Sequence, residues 1–108
     1  MTFAVSGALL DACVLGVLSA SPTYGYHLTQ RIQTTIDVSE STLYPVLRRL
    51  LKEEFLFTFD EAYDGRNRRY YTLTDKGKIA LKGLVADWTE YKASLDKLLM
   101  GELDNEKS

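Results

Sequence analysis

Two groups of side chains in this sequence have the chemistry to hold an anion. The first comprises Ser41, Thr42, Tyr44, Arg48, Arg49 and Lys52; the second comprises Arg66, Arg68 and Arg69, beside Tyr63, Asn67 and Asp64. Hydroxyls and guanidinium groups suit phosphate oxygens and the edges of nucleic-acid bases. The chemistry implied is recognition, not bond cleavage. The sequence has no nucleophile–base pair, no paired-carboxylate site and no glycine-rich loop that could cradle a phosphate. His27 is the only histidine and has no cysteine or clustered carboxylate at metal-ligand spacing. No enzyme activity, metal or cofactor is expected; His27 is expected to cap or pack. Cys13, the only cysteine, reads as a small buried hydrophobe.

Overall charge does not support this reading. The chain carries 13 Lys and Arg against 15 Asp and Glu, a formal net charge of −2. The position of the basic residues must therefore decide, and position depends on the elements that carry them. With 108 residues, 45% of them apolar, the chain suits one small domain. No run approaches the ~18 uncharged apolar residues of a membrane span. The apolar start, Met1 to Leu18, is interrupted by Asp11 and lacks the basic leader and cleavage site of a signal peptide. A cytoplasmic protein without membrane contact is expected, in keeping with a cysteine that has no partner.

Val5 to Leu18 reads as a helix that is apolar nearly all round, hence buried on more than one side. Ser21 and Pro22 read as the N-cap and first position of a second helix, whose stripe is Tyr24, Leu28, Ile32 and Ile36. Ser39 reads as the cap of a third helix to about Glu53, with Leu43, Leu47 and Leu50 inward and an irregular first turn at Pro45. Phe55, Phe57 and Phe59 alternate with Leu56, Thr58 and Asp60 at the period of a half-buried strand. Asp64-Gly65 marks a turn, and Arg69 to Leu73 a second strand with Tyr70 and Tyr71 on opposite faces. Thr74 caps a last helix from Asp75 to about Met100, roughly 40 Å long at about 1.5 Å per residue.

The fold class expected is mainly α with a small β-hairpin: a winged helix-turn-helix followed by a long C-terminal dimerisation helix. The ranges are 1–74 for the winged-helix DNA-binding domain, 75–101 for the helix and 102–108 for a polar tail. In such a fold the third helix enters the major groove and the basic hairpin tip, the wing, reaches an adjacent groove. The segment from Tyr63 to Arg69 is locally positive, three arginines against Asp64.

Along the last helix, Leu81, Leu84, Trp88, Tyr91, Leu95 and Leu98 are spaced 3, 4, 3, 4 and 3 residues apart, a heptad seam with charged residues between. A seam projecting past so small a body calls for another helix. Both the first helix of the same chain and a second copy are expected to meet it, giving a homodimer whose two reading helices face the half-sites of an inverted-repeat operator on double-stranded DNA.

Three blocks, Pro22 to Leu28, Ser41 to Leu50 and Arg68 to Gly77, resemble the PadR family of transcription regulators in order and spacing. The resemblance covers about residues 5 to 100 and is closest to the smaller members with one C-terminal helix. It implies a repressor that dimerises through that helix and leaves operator DNA when an effector binds. Carried onto this chain, Tyr24, Ser41, Thr42, Tyr44 and Arg48 would meet DNA from the helix-turn-helix, with Lys52 on the same outer side, and Arg66 and Arg68 from the wing. Gly77 would allow the last helix close to the hairpin.

Two departures from the family pattern stand out. Glu54 replaces the usual glycine after the reading helix, so either the turn there is not left-handed or Glu54 accepts strain. Trp88 sits where multidrug-binding relatives stack flat aromatic ligands, yet Lys92 is basic where an acid would best attract cations. Trp88 and Asp11 are the candidate residues for a small aromatic effector. Asp11, set in an apolar helix, lines the dimer interface, lines a pocket or faces solvent. The alternative function is a winged-helix protein–protein interaction module without DNA binding, which the slightly acidic composition favours.

Overall fold

Ser6 opens the first helix, its hydroxyl accepting from the Leu9 amide at 3.2 Å and so filling one of the donors a helix start leaves open. The structure, a computed structural model, describes residues 3–101; the polar tail expected at 102–108 lies outside the described residues. Helix α1 (Gly7–Ala20) begins two residues later than the apolar run suggests and ends two later. It forms the centre of the core: Val14 and Leu15 are fully enclosed, and Leu10 and Leu18 nearly so.

The second helix departs from expectation. Pro22 is not its first position; Thr23–Tyr24 instead form a short strand, β1, and helix α2 spans Gly25–Gln33 with Tyr24 at its N-cap. Backbone pairing of Thr23 and Tyr24 with Tyr71 and Tyr70 satisfies polar groups that a helix start would leave open, so tertiary pairing overrides the local Ser-Pro signal. Only Leu28 and Ile32 of the predicted stripe are buried within the helix; Ile36 packs beyond its end.

Helix α3 (Glu40–Lys52) starts where expected, with Ser39 Oγ accepting from the Thr42 amide at 3.3 Å. Leu43, Val46, Leu47 and Leu50 are buried. Pro45 falls within the helix; lacking an amide hydrogen, it leaves the Ser41 carbonyl without its usual partner. The helix ends in a double cap: Phe55 N donates to Leu50 O and Glu54 N to Leu51 O, both at 3.0 Å, around a left-handed Glu54 at φ 66°. That is a Schellman turn, which favours glycine, so Glu54 accepts the strain.

Strands β2 (Leu56–Tyr63) and β3 (Arg66–Leu73) join through Asp64-Gly65, both left-handed at φ 53° and 76°, as a two-residue hairpin turn requires. The sheet has three antiparallel strands in the order β1-β3-β2, one more than the hairpin expected. The aromatic alternation in β2 faces away from the core. Leu56 is 2% exposed, whereas Phe57 is 50% exposed, because the Schellman turn sets the strand parity after Phe55.

Helix α4 (Asp75–Asp96) is anchored at its first turn. Thr74 Oγ1 accepts from Gly77 N at 2.9 Å and donates to Glu54 O at 2.7 Å. Lys76 Nζ donates to Glu53 O at 2.9 Å, a cation at the carbonyl end of α3. A β-carbon on Gly77 would lie 2.1 Å from Phe55 O, so glycine is what lets α4 leave this close to the hairpin. The helix closes in a wide turn at Lys97–Gly101, and with it the molecule reaches 65 Å in length against 28 and 21 Å across. None of the described helices is long and apolar enough to cross a membrane.

Candidate nucleic-acid interface

Burial of its leucine face leaves α3 with a polar outer side. Ser41, Thr42, Tyr44, Arg48 and Lys52 are exposed. Ser39 Oγ lies 2.9 Å from Ser41 Oγ and 3.0 Å from Thr42 Oγ1, so three hydroxyls gather at the start of the helix, where the helix field favours an anion. Among the described residues, Arg48, Lys52 and Arg66 enter no ion pair. Arg49 differs from its neighbours: it pairs with Asp11 and, at 2.7 Å, with Glu53. The hydrogen bond that Arg49 donates to Asp11 is the main cause that raises the Arg49 pKa above its ordinary value.

The wing is less basic than its tip sequence suggests. Pairing places Asp60 opposite Arg69 and Glu61 opposite Arg68, so the hairpin carries three arginines against three carboxylates. Arg69 Nε meets Asp60 at 3.4 Å. Arg66 is exposed beside the turn. Arg68 lies with its guanidinium carbon 4.5 Å from the centre of the Tyr24 ring and 4.2 Å from that of Tyr63. Tyr24 in turn stacks on His27 and meets Tyr70 edge-on, each at 5.8 Å, and Tyr70 stacks on Phe59 at 5.4 Å. Tyr71, on the other face, packs against the core.

A second region lies between α1 and α4. Two adjoining hollows of about 290 and 410 Å³ share Leu9, Ala12, Leu84 and Trp88. Of the heptad seam, Leu81 and Leu84 pack on the chain's own core, Leu95 is half-buried, and Trp88, Tyr91 and Leu98 are exposed at 41%, 60% and 65%. Asp11 lines neither hollow, its carboxylate being engaged by Arg49. Of the alternatives open for Asp11, lining a pocket does not hold for these two hollows: one face of α1 fronts them, and Asp11 is on another.

Residues 14–83 match the sequence profile of the transcriptional regulator PadR-like family. The chain belongs to this family. The PadR-like chain is similar to the crystal structure of smu.1704 from Streptococcus mutans, with 38% identity and a TM-score of 0.87 over 94% of this chain and 95% of that one. It is also similar to a PadR-like transcriptional regulator of Bacillus cereus, with 32% identity and a TM-score of 0.78 over 84% and 91% of the two chains. A third similar structure is Bacillus subtilis PadR in complex with operator DNA, at 27% identity and a TM-score of 0.63 over 71% of this chain and 46% of that one.

Sequence reading of this PadR-like regulator missed the acid at the groove. Asp87, adjacent to Trp88, lines the smaller hollow, whereas Lys92 points to Asp96 at 3.6 Å. Asp87 lies one residue before a seam position, and helical spacing alone leaves such a residue at the edge of the seam. What the sequence also withheld was the ring sandwich on Arg68, because its members come from three strands. The one available signal was the presence of Tyr63 beside the hairpin arginines.

Proposed function

We propose that this PadR-like regulator is a dimeric repressor. It grips an inverted-repeat operator through α3 and the wing, and a small planar effector between α1 and α4 releases it. The observation that carries the reading is the outer side of α3. Ser41, Thr42, Tyr44, Arg48 and Lys52 stand exposed opposite four buried apolar residues, and Arg66 stands exposed beside the hairpin turn. The operator complex of the similar Bacillus subtilis protein supports a DNA partner.

The exposed half of the α4 seam supports dimerisation. Among the described residues Trp88, Tyr91 and Leu98 stay largely exposed, and burying such rings and aliphatic groups against a second copy is favourable at about 25 cal/mol per Å² of apolar surface. The effector reading rests on the hollows beside Trp88. They are apolar, together within the roughly 300–1,000 Å³ typical of small-ligand sites, and carry Asp87 as their one acid. Trp88 serves both as interface core and as a stacking surface in this scheme.

Sedimentation of the full chain and anisotropy titration of its upstream DNA test the proposal. A dimer at micromolar concentration should bind duplex with an affinity that falls steeply as salt rises. Replacing Arg48, Lys52 and Arg66 together by Ala should weaken binding to every sequence. A stable monomer, or full affinity in the triple variant, overturns the proposal. Dimers that ignore DNA would instead favour the protein–protein interaction module, to which the hairpin's balance of arginines and carboxylates already points. Planar aromatic compounds that relieve DNA binding should also quench Trp88 fluorescence; relief without quenching moves the effector site elsewhere.

A further inference from the structure

The half of the wing nearest its tip has no third strand to hold it. Strand β1 pairs only with Tyr70 and Tyr71, so from Asp60 to Arg69 the hairpin is two-stranded, an arrangement that is marginal by itself in water. One side chain spans the gap. Arg68 lies against Tyr63, beside the turn, and against Tyr24, at the start of α2, and Tyr24 is itself fixed by His27 and Tyr70.

Arg68 also has a carboxylate within reach by register, since Glu61 is its direct partner across the strands. Yet among the described residues the two form no ion pair. The rings hold the guanidinium in preference to the acid. A planar guanidinium suits two aromatic faces in a way that an ammonium does not.

We infer that Arg68 is a positioning residue: sandwiched between Tyr24 and Tyr63, it locks the wing to the start of the helix-turn-helix instead of neutralising a phosphate. The inference rests on the DNA-binding reading above and assigns one of its residues a different task. A wing fixed before the encounter has less freedom to lose on binding. Arg66, outside the sandwich, then carries the phosphate contact of the tip.

Two measurements on the full chain decide this. In the DNA-free protein, ring currents should shift the Arg68 side-chain proton resonances upfield, and Tyr63→Leu should return them towards ordinary values. In anisotropy titrations with upstream duplex, Arg68→Lys and Tyr63→Leu should each weaken binding about five- to tenfold, from the loss of one or two cation–π contacts. Neither should change the slope of log affinity against log salt. Arg66→Ala should flatten that slope by about 0.9, and Arg66→Lys should restore it. Wild-type affinity in Arg68→Lys, or a slope flattened by about 0.9 in Arg68→Ala, overturns the inference. If the wild-type chain binds no duplex, the DNA reading fails by itself. The lock is then judged by resonance: ordinary Arg68 shifts that Tyr63→Leu leaves unmoved refute it.

Discussion

Asp11 of α1 pairs with Arg49 of α3, and the other arm of the same guanidinium reaches Glu53 at 2.7 Å. The pair bridges the helix that fronts the groove and the helix that carries the exposed hydroxyls and cations. Leu9, Ala12 and Cys13, around Asp11 in sequence, line the hollows. Asp11→Ala should lower stability by about 1 kcal/mol, the upper range for a partly exposed pair. Arg49→Ala should cost a similar amount, and the double variant should cost less than both together. Denaturant midpoints of the four proteins measure the coupling; strict additivity would mean that the bridge contributes nothing.

Two glycines of α4 should answer oppositely to the same substitution. Gly77→Ala forces a β-carbon onto the Phe55 carbonyl and should destabilise by about 1–3 kcal/mol, the cost of overpacking. Gly83 has open space around its added β-carbon, so Gly83→Ala should stabilise by up to about 1 kcal/mol through helix propensity. Urea unfolding of both variants checks the contrast in a single experiment.

Relief of backbone strain is expected at Glu54. Its φ of 66° costs an L-residue roughly 1–2 kcal/mol, partly offset in glycine by the greater freedom of the unfolded chain. Glu54→Gly should therefore raise stability by about 0.5–1 kcal/mol. The backbone carbonyl that accepts from Thr74 is retained. A lower melting temperature in this variant would contradict the cap assignment.

Alkaline pH should weaken the fold through two half-buried acids. Burial pushes the Cys13 thiol above its ordinary 9.0. Burial is also the main cause that raises Tyr71 above 10.0, with Arg69 opposing it and Tyr44 adding to it. A raised native value means that the unfolded chain ionises first, so this stability is complete below the ordinary values and is lost as pH climbs through the native ones. Urea midpoints should therefore be insensitive to these groups near neutrality and fall above about pH 9. Cys13→Ala should blunt the earlier part of the fall and Tyr71→Phe the later part.

Much of this architecture is legible from local pattern. Ser39 before Leu43, Leu47 and Leu50, Asp64-Gly65 between two strands, and Thr74 before Gly77 are short-range signals, each set by backbone donors or by dihedral freedom that neighbouring residues control. The regular seam from Leu81 to Leu98 likewise follows from helical period. Other features depend on segments that meet only in the folded chain. The strand at Thr23–Tyr24 exists because β3 offers an edge, and the inward parity of β2 follows from the turn at Glu54. The wing's charge balance depends on the carboxylates that pairing brings opposite Arg68 and Arg69. Helical period puts Asp11 off the face that fronts the groove, but that Arg49 of another helix meets it there is decided by packing. Periodicity along one chain determines which face of an element is apolar; which neighbour covers that face, and which charges cancel across it, is decided by packing between segments far apart in sequence.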